Sequence, residues 1–75
     1  MPLPLMQTVD SSNISSVAYI EGDKSLVVMF KTGKYYKYFN VERVIYEALL
    51  KAESVGKFFS AHIRTKYKYE ELKPE

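Results

Sequence analysis

Seventy-five residues make a single domain, and a chain this short buries only about 60% of its unfolded surface. It has no cysteine and one histidine, His62, which excludes disulfides, thiolate metal sites and a histidine-rich metal centre. Eleven Lys and Arg against nine Asp and Glu leave a net charge of +2, weak for a protein that lives on nucleic-acid phosphates.

With no disulfide or metal, a small domain relies on good packing or on a partner chain, so a homo-oligomer is expected. No run approaches the ~20 apolar residues that span a bilayer, so no membrane is expected. The start, "MPLPLMQ", lacks the basic n-region of a signal peptide and reads as an extended arm over 1–8. A cysteine-free chain fits a reducing compartment, and a cytoplasmic protein is expected. The charge is uneven. Between Lys31 and Lys68 nine basic residues stand against three acids, which permits a local basic face.

"NISSVAYIE" is rich in β-branched and aromatic residues and predicts a strand over 15–21. "EGDK" follows as a turn in which Gly22 and Asp23 tolerate positive φ. "SLVVMFK", 25–31, alternates as a strand with Leu26, Val28 and Phe30 on one face and Val27 and Met29 on the other. A two-residue turn at Thr32-Gly33 would place Lys37 on the Leu26 face. A three-residue loop, Lys31 to Gly33 with Gly33 left-handed, pairs Val28 with Tyr36 and Leu26 with Tyr38 and turns Lys37 outward. Burying an unpaired lysine is costly, so the second register is expected, with Tyr35 on the Val27/Met29 face.

"NVERVIYEALLKAE", 40–53, predicts a helix capped by Asn40. Val41, Val44, Ile45, Ala48, Leu49 and Ala52 form its apolar stripe, leaving Tyr46 and Leu50 for a second contact. "SVGKFFSAHIRTKY", 54–67, predicts a second helix, capped by Ser54 and buried along Phe59, Ile63 and Tyr67. "KYKYEELKPE" alternates like a short C-terminal strand before a frayed tail at 71–75. The expected fold is α+β, a three-stranded antiparallel β-meander followed by two α-helices.

Together these landmarks resemble the KTSC domain, a short module also found at the C-terminus of some lysyl-tRNA synthetases. The resemblance rests on Val9, Ser11, Ser12, Ile14 and Tyr19. It continues with Leu26, Val28, Phe30, Gly33, Tyr36 and Tyr38, the pattern L-x-V-x-F-x-x-G-x-x-Y-x-Y. Val41, Ala52, Ser54, Gly56, Phe59, Ile63, Arg64 and Tyr67 complete it. It covers about residues 8–70 of a stand-alone chain. Two positions depart from the family pattern: Glu42 stands where proline is usual, and Ser60 where asparagine is frequent. The resemblance implies a compact α+β domain, and its synthetase context suggests RNA binding. Stand-alone members occur in bacteria and their phages.

Catalysis is not expected. No cysteine nucleophile, glycine-rich phosphate loop or metal-ligand cluster is present, and His62 with Ser11 or Ser12 lacks the third group that an active site requires. No cofactor is implied. The candidate ligand-binding residues are Ser11, Ser12, Tyr35, Tyr36, Tyr38, His62, Arg64 and Lys68. Ser11 and Ser12 can donate to a phosphate or form a turn. Tyr36 and Tyr38 can stack on bases or fill the core with their hydroxyls at its boundary. On a helix that runs through Lys68, Arg64 and Lys68 share a face. Three functions follow. The first is a non-enzymatic homo-oligomer that sequesters a small nucleotide-type ligand, as small phage counter-defence proteins do. The alternatives are an RNA-binding domain and a protein-interaction or assembly module.

Overall fold

The hairpin at the centre of the chain organises the rest. Strand β3 (Ser25–Phe30) pairs antiparallel with β4 (Tyr35–Tyr38), with Leu26 opposite Tyr38 and Val28 opposite Tyr36. The loop is the three-residue one. Gly33 sits at φ +93° and its N–H donates to the Phe30 carbonyl (2.9 Å), while Phe30 N–H donates to the Lys34 carbonyl (2.9 Å). Tyr36 and Tyr38 therefore join the Leu26/Val28 face. Lys37 falls on the opposite face, where its side chain, 13% exposed, pairs with Asp23 (3.3 Å) and lies opposite Glu70.

The computed structural model describes residues 6–73. Residues 1–5 of the expected arm and 74–75 of the expected tail lie outside the described residues. The sheet has five antiparallel strands in sequence order: the expected meander, the expected C-terminal strand, which also takes in Glu71 and Leu72 of the expected frayed tail, and one further strand at its start. Gln7 and Thr8, read as arm, form β1 (Gln7–Thr8) against Val17 and Ser16 of β2 (Ile14–Ile20). The alternating C-terminal segment forms β5 (Tyr69–Leu72) on the outer edge of β4, opposing Tyr69 to Tyr38. A bulge at Ser15 shifts the β2–β3 register between Ile14 and Ser16. The extra residue swings Ile14 onto the face of Val17, where it is buried.

Between β4 and β5 the chain forms α1 (Arg43–Lys51) and α2 (Val55–His62). They cover one sheet face around a core of Ile14, Val17, Leu26, Val28, Tyr38, Val41, Leu49, Val55, Phe59 and Ile63. Asn40 is not the cap of α1. It takes a left-handed φ of 58° after β4, which asparagine tolerates. Val41 then stays extended, with its N–H bonded to the Lys24 carbonyl (2.8 Å) and its own carbonyl accepting from the Tyr19 hydroxyl (2.7 Å). The helix starts two residues later at Arg43, and its buried side is formed by Ile45, Tyr46 and Leu49. Tyr46 stacks on Tyr19 (5.4 Å between ring centres), whereas Val44 is 62% exposed. Ser54 caps α2 as expected, accepting from Lys57 N–H (3.3 Å). That helix ends at His62, short of Tyr67, because Ile63 N–H and Arg64 N–H both donate to the Phe59 carbonyl (2.9 Å each) and tighten the chain into a turn. In the "EGDK" turn, positive φ falls on Lys24 (53°) rather than on Gly22 or Asp23.

The buried side of α1 makes a prediction. Leu49→Ala is expected to cost about 2–5 kcal/mol, the range for emptying a core site. Val44→Ala is expected to stay within about 0.5 kcal/mol, as for an ordinary surface change. Urea unfolding of the two variants measures both.

Candidate functional site

The hairpin register and the docking of β5 bring five rings into a closed circuit. Phe30 meets Tyr36, Tyr36 meets Tyr69, Tyr69 meets Tyr38, Tyr38 meets Phe59, and Phe59 returns to Phe30, with ring centres 5.3–5.6 Å apart. Most of these contacts are edge-to-face, the arrangement that the ring quadrupole favours. The circuit floors a cleft of about 430 Å³ at the β3–β5 end of the sheet. Lys34 and Thr32 of the hairpin loop stand on one side, and Arg64 and Thr65 after α2 stand on the other. Asn13 and Ser60 form its remaining lip. Among the described residues, no carboxylate lines it.

The Tyr38 ring is buried (3% exposed), and burial is the main reason its phenol is pushed up to about 12. The neighbouring Tyr69 adds to that shift and the Arg64 guanidinium opposes it. Tyr38 is therefore a neutral hydrogen-bond donor at any physiological pH. Tyr69 is 58% exposed and is the ring of the circuit that solvent reaches most freely.

Asn13 is held from two sides. Ser11 Oγ donates to Asn13 Oδ1 (3.1 Å) and accepts from the Ile14 N–H (3.3 Å). The first turn of α2 closes over the same group: a Cβ on Gly56 would lie 2.8 Å from Asn13 Oδ1. Gly56 looks like a weak helix residue in the sequence, but it permits this close approach.

Of the eight residues singled out from the sequence, the cleft brings together Tyr36, Tyr38 and Arg64. Ser11 serves the loop that holds Asn13. Ser12 lines a neighbouring groove with Asn13, Ser54, Gly56, Lys57, Ser60 and Ala61. Tyr35 lies on the opposite sheet face, across from Met29 and Leu72. His62 packs on Phe58 (4.6 Å) outside the cleft lining. Lys68 is exposed past the helix end, so it shares no helical face with Arg64, and its carbonyl accepts from Phe39 N–H (2.9 Å).

The residues missed were Asn13, Thr32, Lys34, Ser60, Thr65 and Tyr69. Tyr69 carried a readable signal in its alternation with Tyr67. The others become neighbours only through the fold. A third depression, at Tyr19, Glu21, Lys24, Glu42, Arg43 and Val44, is electrostatically different. Its Arg43 is already paired with Glu21 and Glu47. Among the described residues, no three His, Cys, Asp or Glu converge on one point, and no helix is long and apolar enough to cross a membrane.

The family model described as the KTSC domain matches residues 10–67. A protein of Tsukamurella paurometabola is 32% identical over 63 residues, covering 84% of this chain and 94% of its own length. A lysine–tRNA ligase of Trichormus variabilis is 35% identical over 69 residues, which are 92% of this chain but only 12% of the ligase. The crystal structure of a KTSC domain protein from Yersinia pestis superposes with a TM-score of 0.87 at 28% identity, covering 92% of this chain and 97% of that one.

The raised Tyr38 phenol has a sign that can be checked. Between pH 10 and about 12 the unfolded chain has lost this proton and the folded chain has kept it, so stability falls as pH rises through that window. Tyr38→Phe is expected to abolish this part of the alkaline loss. It is also expected to remove the ionisation step near 12 from an ultraviolet titration.

Proposed function

The chain belongs to the KTSC domain family, and on that premise we propose that it is a non-enzymatic cytoplasmic protein that binds and sequesters a small nucleotide-type ligand as a homo-oligomer. One observation carries the reading: a cleft floored by five aromatic rings, with Lys34 and Arg64 at its rim and no carboxylate among its described lining residues. A base has an apolar face that stacks on a ring and a polar edge that takes hydrogen bonds. Tyr69 offers the ring. The Tyr38 phenol, Asn13, Ser60, Thr32 and Thr65 offer donors and acceptors. Arg64 offers the planar fork that grips phosphate in two places.

The non-enzymatic part of the proposal rests on His62. It leans on Phe58 and is outside the cleft lining, so it brings no general base to Ser60 or Thr65. The homo-oligomer part rests on the small core and on Leu50, a large apolar residue left exposed on α1. Sequestration of a nucleotide signal would suit a phage counter-defence protein.

RNA binding is the second reading. It is favoured by the likeness to a lysine–tRNA ligase, an enzyme named for acting on tRNA. A closed ring floor at one end of the sheet and a net charge of +2 favour a small ligand over an open backbone track. The two readings separate on salt, because a phosphate-tracking protein loses affinity steeply as salt rises.

Isothermal titration with adenine and guanine nucleotides tests the proposal. Arg64→Ala is expected to weaken binding about 10- to 100-fold, the loss of one charge-assisted contact. Tyr69→Ala is expected to weaken it by a similar factor through lost stacking. Arg64→Ala is expected to keep the wild-type circular dichroism, since Arg64 is exposed. A folded Arg64→Ala protein with undiminished affinity removes Arg64 from the site. Wild-type protein that ignores nucleotides but binds single-stranded RNA with a steep salt dependence replaces the first reading with the second.

A further inference from the structure

The cleft does not end at its lip. Asn13 and Ser60 belong both to it and to the neighbouring groove of about 600 Å³, so the two depressions meet along one ridge. Small-molecule sites span ~300–1,000 Å³. The cleft, at about 430 Å³, is near the lower end of that range and suits one nucleotide unit. The groove continues beyond the ridge as a shallow surface open to solvent.

The two halves differ in chemistry. All five rings lie in the cleft, whereas the groove has no aromatic residue. Its lining is instead polar and small: Ser12, Asn13, Ser54 and Ser60, with Lys57 as its cation. One end of the trough can stack a base, and the other can hold a sugar and a base edge by hydrogen bonds. Each half has a cation in its lining, Lys34 and Arg64 in the cleft and Lys57 in the groove. Among the described residues, no carboxylate lines either half.

The ridge is the most constrained point. Ser11 engages Asn13 Oδ1, and that oxygen lies so close to the α2 backbone that Gly56 has no room for a Cβ. With its oxygen held, Asn13 offers its NH2 group as a fixed donor where the two halves join.

We infer that the ligand is a dinucleotide: one base rests on the aromatic floor, the linking phosphodiester crosses the Asn13–Ser60 ridge, and the second nucleoside lies in the groove beside Lys57. The inference rests on the nucleotide-binding reading above and specifies its ligand. Asn13, Ser60 and Lys57 become binding residues, and Ser11 and Gly56 become positioning residues that act through Asn13.

The experiment compares AMP, ATP and the linear dinucleotide pApA by isothermal titration against the wild type and Lys57→Ala, with the guanine series GMP, GTP and pGpG in parallel. For the purine that binds, the dinucleotide is expected to bind at least about tenfold tighter than the monophosphate, the gain of one further charged contact. Lys57→Ala is expected to lose most of that gain while its affinity for the monophosphate stays at the wild-type value. Lys57 is exposed and its role in the helix cap is through backbone N–H, so the variant keeps its fold. Equal affinity for mono- and dinucleotide overturns the inference and leaves the nucleotide reading standing. A triphosphate that matches the dinucleotide also overturns it, because the groove would then be reading charge without a second nucleoside. Failure of both series to bind overturns the inference and the reading beneath it.

Discussion

The structure depends on the register of one hairpin. The loop from Lys31 to Gly33 can close with Phe30 opposite Lys34 only because Gly33 reaches φ +93° without a Cβ penalty. That one conformation decides which way a run of four residues points. Tyr36 and Tyr38 go toward the helices, and Lys37 goes to the other side, where Asp23 meets its charge. A slip of one position would exchange the two sets. The core would then receive a lysine and lose two rings. The aromatic circuit and the cleft above it inherit their geometry from this choice.

The register was legible in the sequence because the physics is local and one-sided: an unpaired lysine is expensive to bury, a tyrosine is not. The α+β class, the Ser54 cap and the buried line of Phe59 and Ile63 were legible for similar reasons. The start of α1 was not. Asn40 has the chemistry of a cap and also the tolerance of a left-handed turn residue. What decides between these uses is tertiary. Val41 bonds through its amide and its carbonyl to Lys24 and Tyr19, and both are distant in sequence. The docked helix leaves Val44 outward and packs Tyr46 on Tyr19. β1 and the bulge at Ser15 were illegible because each is defined by pairing, with little local preference of its own.

The candidate site divides along the same line. Tyr36, Tyr38 and Arg64 could be picked out because aromatic and guanidinium groups announce a function by type. Ser11, Tyr35, His62 and Lys68 were picked out on the same grounds, and the fold directs them to a turn, the opposite sheet face, a contact with Phe58 and an exposed segment beyond α2. Asn13 was passed over, since a single amide carries no pattern, and Ser60 stood out only as a departure from the family pattern. Their position on the ridge follows from Gly56, whose missing side chain lets α2 approach the loop before β2. The residue that looked like a flaw in the helix is the one that positions the lip.

The aromatic circuit also bears on how the molecule folds. Its rings come from β3, β4, α2 and β5, a span from Phe30 to Tyr69, and the circuit closes only when the last strand docks. Contacts so far apart are entropically costly to assemble until the intervening chain is ordered. A partly folded chain that lacks β5 has a hairpin and helices but an open floor. An occupant of the cleft therefore discriminates between the complete native state and every earlier one. By mass action, any molecule that binds the complete cleft would stabilise the whole domain against unfolding.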